Sequence, residues 1–330
     1  MREASLIGVE LPEVRRGDDL ASLICSSARL QERDVVAVAS KVVSKAKGYL
    51  VDVSSARPTE RSLRVASALG MDPRWVELVL SQSDEVLGVL PVKELYDTGT
   101  LRLEDVAYDA EAARMALERF PYLFIVRRSG MIWTDAGIDA SNVPGGLYAV
   151  PPPDPDAEAR ELSSNIASRC SVRVAVVLCD TEVSIAGASM DRAIGSYGIR
   201  PVDRGFGKPD RNGVPKYGGV DHIANEVCAS AALLARQTSE SIPVVLVRGL
   251  SYEWYEGGLR DFSMKRPVEA LRAVIRATLR AMGPEALEKL VGASHEGIAL
   301  QRADAPSEGY GYKGWALTAS RGLMLAGACH

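Results

Sequence analysis

Two segments of the sequence carry oxygen-bearing side chains where a metal–phosphate site could form. They are residues 134–143, TDAGIDASNV, which contain Asp139, and residues 176–181, VVLCDT, which end in Asp180 and Thr181. In each, a hydrophobic run leads to an aspartate with hydroxyl or amide neighbours, the ligands that Mg²⁺ and Mn²⁺ prefer. Taken separately, each is more typical of a turn or a helix N-cap. Together, and with residues 151–156, PPPDPD, supplying a third acidic group, they favour a metal site.

The composition is that of an ordinary globular protein. The 330 residues are 47% hydrophobic, enough for a sizeable core and for two domains. A net charge of −4 argues against a surface specialised for nucleic acid or anionic lipid. The apolar runs are of strand length, short of the roughly 20 residues of a membrane span, and the first residues lack the apolar core of a signal peptide. We therefore expect a cytoplasmic protein with no nucleic-acid or membrane partner.

The cysteines and histidines exclude some chemistry. Five cysteines, without a CxxC pair, predict buried, reduced thiols. Three scattered histidines are too few for a zinc site, and they also weaken a Ser-His-Asp or Cys-His hydrolase interpretation.

Hydrophobic periodicity indicates the elements that must position these residues. It predicts strands at 4–9, 34–39, 172–178 and 241–248, and a hairpin from 122–126 to 131–133 with its turn at Gly130. It predicts helices at 20–30, 58–69, 72–80, 154–168, 220–236, 266–282 and 284–291, with Gly70 as the C-cap of the second, and a long functional loop at 193–219. The irregular alternation of strands and helices, with no repeat, indicates a mixed α/β or α+β fold in two lobes that are interleaved in sequence.

Hydroxyl and lysine side chains follow the predicted strand 34–39 directly, in the sequence SKVVSKAKG at 40–48. The carboxyl end of a strand is a usual ligand site in α/β sheets. Three lysines within seven residues also suit a solvated basic turn. A Walker A motif is absent, and the GxGxxG match at 309–314 follows a turn instead of a strand, so a bound nucleotide would be held by another route.

Taken in order, these motifs resemble the coenzyme F420-0:L-glutamate ligase family, the γ-glutamyl ligases of deazaflavin biosynthesis. The resemblance runs from about residue 5 to about residue 280, and its segments are 11–12, 17–20, 34–36, 40–45, 136–143, 154–156, 180–181, 193–195 and 242–249. It implies an α+β fold, a two-lobed mixed sheet and helix fold of the γ-glutamyl ligase type, in an intertwined homodimer. The ligase-like region would be residues 1–282. Residues 283–330 form an extension of unknown role that does not resemble the flavin-binding reductase domain fused to some members.

The family resemblance also implies an activity. GTP phosphorylates a carboxylate, best matched by coenzyme F420-0, and the amine of L-glutamate then attacks the acyl phosphate. Mg²⁺ or Mn²⁺ would neutralise charge on the transferred phosphoryl group while lysines hold its oxygens. K⁺ is a further candidate cation.

Site residues can be carried over only where this sequence matches the family's motifs. Asp139, Asp180 and Thr181 are implied as catalytic residues: Asp139 and Asp180 as metal ligands, Thr181 as the ligand of a second metal, and Gln237 as a further metal ligand. The implied nucleotide-binding residues are Leu11, Pro12, Glu13, Val14, Ser40, Lys41, Lys45, Asn142, Ala235, Arg236, Gln237, Thr238, Ser239, Glu240, Ser241 and Ile242.

The chain departs from the family pattern after Thr181. The family usually has Gly-Arg and a further arginine there, whereas residues 182–187, EVSIAG, contain none, so a bidentate anion clamp is missing. Asp135 stands where the family often has Asn, and its added charge would either strengthen metal binding or repel an anionic substrate. Three hypotheses remain: a ligase for coenzyme F420-0, a ligase of this family for a different carboxylate or amine, and a catalytically silent nucleotide-binding homologue.

Overall fold

The computed structural model describes residues 3–183, 188–263, 267–284, 286, 298–302 and 315–319. The chain forms two compact units, Met1–Lys265 and Arg266–His330. Most of the predicted helix 284–291, all of the glycine-rich segment 309–314, and Cys329 lie outside the described residues.

The first unit contains both strands and helices, as the sequence predicts. In chain order its strands are β1 Ser5–Val9, β2 Val35–Ala39, β3 Leu50–Asp52, β4 Glu85–Leu90, β5 Leu123–Arg128, β6 Met131–Thr134, β7 Leu147–Ala149, β8 Ala175–Val183, β9 Ser189–Tyr197 and β10 Val244–Arg248. Its α-helices are α1 Leu20–Ser27, α2 Ser40–Lys47, α3 Glu60–Leu69, α4 Pro73–Ser81, α5 Val92–Asp97, α6 Ala110–Arg119, α7 Pro155–Cys170 and α8 Ile223–Ala235. The mixed α+β class is therefore confirmed.

A five-stranded mixed sheet carries the larger core, in the order β1–β10–β2–β8–β9. β2 and β8 pair in parallel, and the other neighbours pair antiparallel. β2 reads as an unbroken apolar run, Val-Val-Ala-Val-Ala, because both of its faces are covered. Val36 and Val38 pack in one buried cluster with residues of α1, α2 and α7, while Val35 and Ala37 pack in another with α8.

A three-stranded antiparallel sheet, β4–β5–β6, and an antiparallel pair, β3–β7, also belong to the first unit. The predicted hairpin is confirmed as β5 and β6, whose register pairs Arg128 with Met131 across the turn. The predicted C-cap of α3 is confirmed too, because Gly70 has a φ of 66° there. The hairpin feeds directly into the loop that carries Asp139.

Two predicted boundaries near the metal ligands that the family resemblance implies are wrong. The strand predicted at 172–178 extends through Val183, and residues 193–197 of the predicted long loop belong to β9. The cause is cross-strand pairing: β9 pairs with β8 from Val183↔Ser189 to Val176↔Tyr197. Polar residues with weak strand propensity are therefore held in a strand by a partner.

The segment 40–48 is a helix, so the alternative of a solvated basic turn is wrong. In α2, Val42, Val43 and Ala46 are buried on one face. These apolar positions follow helical spacing, and Gly48 ends the helix with a φ of 76°. The lysines are thus on a defined helix at the end of β2.

The structure contains two disulfides, which corrects the expectation of reduced thiols. Cys25 of α1 bonds Cys170 at the end of α7, with Cα atoms 6.0 Å apart. Cys179 of β8 bonds Cys228 of α8, with Cα atoms 5.4 Å apart. The partners are separated by 145 and 49 residues, and only the fold brings them together. The second disulfide links β8, just before Asp180, to the helix packed on the sheet.

The second unit contains α9 Pro267–Met282 and an antiparallel pair, β11 Ile298–Arg302 with β12 Trp315–Ala319. This helix agrees with the prediction at 266–282. In the part of the chain that the structure describes, we find no helix with the length and apolar character needed to span a bilayer.

Candidate functional site

A cavity of about 300 Å³ lies at the edge of the five-stranded sheet, around the end of β2 and the outer part of β8. All of the site residues carried over from the family line it: Leu11, Pro12, Glu13, Val14, Ser40, Lys41, Lys45, Asp139, Asn142, Asp180, Thr181, Ala235, Arg236, Gln237, Thr238, Ser239, Glu240, Ser241 and Ile242. The parallel register of Ala39 with Cys179 explains this convergence, because it places the start of α2 beside Asp180. Residues distant in sequence therefore share one cavity, while their roles stay predictions.

Asp139 is delivered by a backbone turn that only strong local contacts can hold. Residues 135–137 all have positive φ values of 45°, 55° and 71°, which is costly for the two that are not glycine. The buried guanidinium of Arg128 donates to the carbonyl oxygens of Ala136, at 2.8 Å, and Pro151, at 2.9 Å. Arg128 thereby ties the two chain segments that flank Asp139.

Both lysines that line the cavity are paired with carboxylates. Lys41 Nζ lies 2.7 Å from Asp139 Oδ2. Lys45 is buried and forms an ion pair with Glu13, and its ammonium also donates to the carbonyl oxygen of Asn142 at 3.2 Å. Two ammonium groups on consecutive turns of α2 thus face the cavity, an arrangement able to hold phosphate oxygens.

Asp180 presents a buried carboxylate oxygen without a hydrogen-bond partner. Its Oδ1 accepts from the amide of Thr181 at 3.0 Å, whereas Oδ2 has no partner among the described residues. Burial, followed by the nearby charge of Glu182, raises the pKa of Asp180 to about 7. Buried polar atoms are normally satisfied, so an orphaned oxygen beside a cavity fits a cation ligand.

A cation here would need mixed ligands. Among the described residues, no three His, Cys, Asp or Glu side chains lie together as a metal-binding group. The carboxylates of Asp139 and Asp180 with the hydroxyl of Thr181 and the amide of Gln237 are hard oxygen donors, which suit Mg²⁺ or Mn²⁺. The chemistry of the donor set therefore fits the metal that the family resemblance implies.

Asp191 is a cavity residue that sequence reasoning missed. It stands opposite Thr181 in the β8–β9 register, and the hydroxyl of Thr181 donates to its Oδ1 at 2.7 Å. Gln237 Nε2 donates to the same oxygen at 3.1 Å. Gln237 reaches this position because Arg236, the C-cap residue that follows α8, has an unusual φ of 54° with ψ −167°. The signal that could have found Asp191 is the antiparallel pairing of 176–183 with 189–197.

Glu182, the first residue at which the chain departs from the family pattern, has its side chain held inside the protein. Glu182 accepts from the amide and hydroxyl of Thr134, at 2.9 and 2.7 Å, and forms a 3.3 Å ion pair with Arg192 of β9. The guanidinium of Arg192 also lies over the ring of Trp133, 5.0 Å from its centroid. A positive charge therefore does reach this region, from β9 and not from the segment after Thr181, and Glu182 neutralises it.

Asp135, which stands where the family often has Asn, is turned into the protein. It is buried, its Oδ1 accepts from the amide of Phe124 at 2.8 Å, and burial raises its pKa to about 7. It does not line the cavity. The expectation that its charge acts directly on a bound metal or anion is not supported by this position.

The third acidic group, expected from residues 151–156, is also outside the cavity. Asp154 caps α7 by accepting from the amide of Ala157 at 3.1 Å. The carboxylate of Asp156 accepts three backbone N–H groups at 2.8, 2.9 and 3.0 Å, those of Ser196, Leu259 and Arg260. Both aspartates stabilise the fold here, so this part of the metal-site prediction is wrong.

Known proteins resemble this chain over most of its length. The family model for F420-0:gamma-glutamyl ligase matches residues 8–249. The coenzyme F420:L-glutamate ligase of Archaeoglobus fulgidus is 31% identical over 274 residues, which cover 82% of this chain and 96% of that protein. The ligase of Methanopyrus kandleri is 31% identical over 273 residues, or 81% and 92% of the two chains. That of Methanosarcina mazei is 31% identical over 252 residues, or 74% and 86%. The chain belongs to the F420-0:gamma-glutamyl ligase family.

Proposed function

We propose that this protein is a GTP- and divalent-metal-dependent ligase that joins L-glutamate to a carboxylate substrate, with coenzyme F420-0 as the leading candidate. One observation carries the proposal: the two lysines of α2, the carboxylates of Asp139 and Asp180, and the loop 235–242 all line a single cavity. This combination provides positive charge for phosphate and hard oxygen ligands for a cation at the same place.

The reaction has two steps. First, a carboxylate oxygen of the acid attacks the γ-phosphorus of GTP, the bond from that phosphorus to the β,γ-bridging oxygen breaks, and GDP leaves. Then the amine nitrogen of glutamate attacks the acyl carbon, the bond from that carbon to the phosphate oxygen breaks, and phosphate leaves as the nitrogen loses a proton. Catalysis of such a transfer consists mainly of positioning and charge stabilisation.

The residues of the chain divide this work. Lys41 and Lys45 bind phosphate oxygens once they exchange their present partners, Asp139 and Glu13. Asp139 and Asp180 would hold one cation, and Thr181 with Gln237 a second; bound cations would neutralise charge on the transferred phosphoryl group. Residues 235–242, which line the same cavity, would contact the nucleotide.

A different acid substrate is the second candidate, and the Glu182–Arg192 ion pair favours it. In this chain a carboxylate occupies the region after Thr181, and the nearby guanidinium is already engaged at 3.3 Å. An anionic acid recognised by free arginines in other members would meet a neutralised pair here.

Turnover with a panel of acids tests the proposal. The protein is incubated with Mn²⁺, L-glutamate and either GTP or ATP, and nucleoside diphosphate and amide product are measured for each acid. We expect GTP consumption that depends on coenzyme F420-0 and a loss of about 100-fold or more in Asp180→Asn, whose melting temperature should not fall. Turnover with another acid alone selects the second candidate. No nucleotide binding and no turnover with any acid contradicts the proposal, whereas nucleotide binding without turnover indicates the catalytically silent homologue.

A further inference from the structure

We propose that Asp191 of β9 is a carboxylate ligand of a divalent cation, which it holds together with Thr181 and Gln237. This inference rests on the proposed function and extends it. The ligands that the family resemblance implies are Asp139, Asp180, Thr181 and Gln237, and Asp191 is not among them.

The first support is a triangle of polar atoms on the cavity wall. Thr181 Oγ1 lies 2.7 Å from Asp191 Oδ1 and 2.9 Å from Gln237 Nε2, and the Nε2–Oδ1 distance is 3.1 Å. The other end of the same amide, Gln237 Oε1, is 3.2 Å from Thr181 Oγ1. Rotation of the amide about its terminal bond would exchange its nitrogen for its oxygen and leave three oxygen donors at the corners.

The size of this triangle matches one face of an octahedral cation site. Magnesium–oxygen bonds of 2.0–2.1 Å at right angles place neighbouring ligand oxygens about 2.9 Å apart. The three sides, 2.7, 2.9 and 3.1 Å, bracket that value. Little movement of the side chains would be needed to accept the ion, and the remaining positions would be open to water and nucleotide phosphate.

The second support is charge. Among the residues that the structure describes, no lysine or arginine forms an ion pair with Asp191, although it lines the cavity. Its neighbour Arg192 cannot neutralise it, because successive side chains of a strand point to opposite faces and Arg192 is paired with Glu182. A half-buried carboxylate without a positive partner, facing hydroxyl and amide groups, attracts a cation.

A cross-strand hydrogen bond alone would not require Gln237. Thr181 and Asp191 face each other in the sheet and could pair without help. Gln237 comes from another element, and the strained backbone of Arg236 brings it there. Strained residues of this kind occur preferentially at functional sites. The convergence therefore points to ligand binding.

Calorimetric titration of the intact chain with MnCl₂ in the presence of GDP tests this assignment. We expect two Mn²⁺ ions per chain, one held by Asp139 and Asp180 and one by the Asp191 group. In Asp191→Asn the second ion should bind about ten- to hundredfold more weakly, while the first ion and GDP keep their affinities within a few-fold. Asn can still accept the hydrogen bond from Thr181, so the loss would report the charge. Glu226→Gln, which removes an exposed carboxylate from the first turn of α8, is the matched control and should bind both ions.

A second variant distinguishes a ligand from a residue that only orients Thr181. Asp191→Cys should bind Mg²⁺ poorly but bind Cd²⁺, with an ultraviolet sulfur-to-cadmium charge-transfer band that the wild type lacks. A single Mn²⁺ in the wild type, or wild-type affinity for both ions in Asp191→Asn, would overturn the inference while leaving the proposed function standing. Absence of both Mn²⁺ and GDP binding in the wild type would overturn the two together.

Discussion

Lys41 and Asp139 neutralise each other across the cavity, with Lys41 Nζ 2.7 Å from Asp139 Oδ2 and bonded as well to the hydroxyl of Ser141. One of these residues is proposed to bind phosphate and the other a cation. Phosphate cannot bind Lys41 fully, nor a cation Asp139, unless the ion pair opens. When one ligand binds, it leaves the partner residue with an unpaired charge, and the other ligand neutralises that charge. Cation and nucleotide binding should be coupled through this pair.

The coupling can be measured by titration calorimetry. We expect Mn²⁺ to bind about 5- to 150-fold more tightly in the presence of GDP than alone, with the same factor for GDP in the presence of Mn²⁺. Lys41→Met should raise the affinity for Mn²⁺ alone and reduce the coupling to near one. Lys47→Met, which removes a lysine of the same helix that pairs with Glu158 and Glu161 outside the cavity, should keep the coupling. Equal coupling in both variants would show that the ion pair is not the link.

Asp135 should make the folded state less stable as pH rises. Its pKa is about 7 in the folded protein against 3.8 for the ordinary side chain, because the carboxyl is buried. Between these values the folded state binds the extra proton, so the free energy of unfolding falls as pH increases from about 4 to about 7 and then levels off.

Asp135→Asn should remove that dependence. An amide can still accept the hydrogen bond from Phe124 N, so the variant should gain stability relative to wild type on the order of 3 kcal/mol between pH 4 and pH 8. Urea unfolding across this range, without cation or nucleotide, provides the measurement. Asp105→Asn, which removes an exposed carboxylate, controls for net charge. A constant difference between Asp135→Asn and wild type at all pH values would contradict the burial of this carboxyl.

The Glu182–Arg192 pair should be worth a measurable coupling energy because both side chains are largely buried, at 12% and 23% exposed. A double-mutant cycle with Glu182→Ala and Arg192→Ala should give about 1–2 kcal/mol in the free energy of unfolding. Either single variant should be more destabilising than this, because it leaves a charge without its partner. If the effects of the two substitutions simply add, the ion pair contributes nothing and Glu182 acts through Thr134 alone.

The two disulfides predict the thiol content of the chain. Of five cysteines, four are bonded, so denatured, unreduced protein should react with one equivalent of a thiol reagent. Peptide mapping should recover Cys25 linked to Cys170 and Cys179 linked to Cys228. The disulfide between Cys25 and Cys170 closes a long loop, so removing it by Cys25→Ser should lower the free energy of unfolding by about 2–4 kcal/mol. Five reactive thiols in freshly isolated protein would restore the original expectation.

Features that depend on local sequence could be predicted, whereas features that depend on contacts between distant residues could not. The apolar run of β2, the hairpin at Gly130 and the cap at Gly70 depend on local pattern, and their positions agree with the prediction within a few residues. The end of β8 and the start of β9 do not agree with the prediction, because their polar residues adopt strand structure only by pairing with each other. Asp191 was missed for that reason, and not for lack of a suitable side chain.

The disulfides and the acidic segment 151–156 show the same limit. Nothing in the spacing of Cys179 and Cys228 reveals that α8 packs over β8 at that point. Asp156 carries a carboxylate that could bind a metal, but this carboxylate accepts hydrogen bonds from three backbone N–H groups that only the folded chain brings to it. The carried-over residues, by contrast, reach one cavity because most of their motifs adjoin strands of the five-stranded sheet, while Asp139 and Asn142 lie on the loop between β6 and β7.

Transfer of oxygen from the acid to phosphate tests the central claim most directly. Coenzyme F420-0 labelled with ¹⁸O in its carboxylate is incubated with the protein, GTP, Mn²⁺ and L-glutamate, and the released phosphate is analysed by mass spectrometry. The proposed acyl phosphate predicts one ¹⁸O in phosphate for each amide formed. Amide formation with unlabelled phosphate, or GTP left intact in the presence of both substrates, would contradict the account.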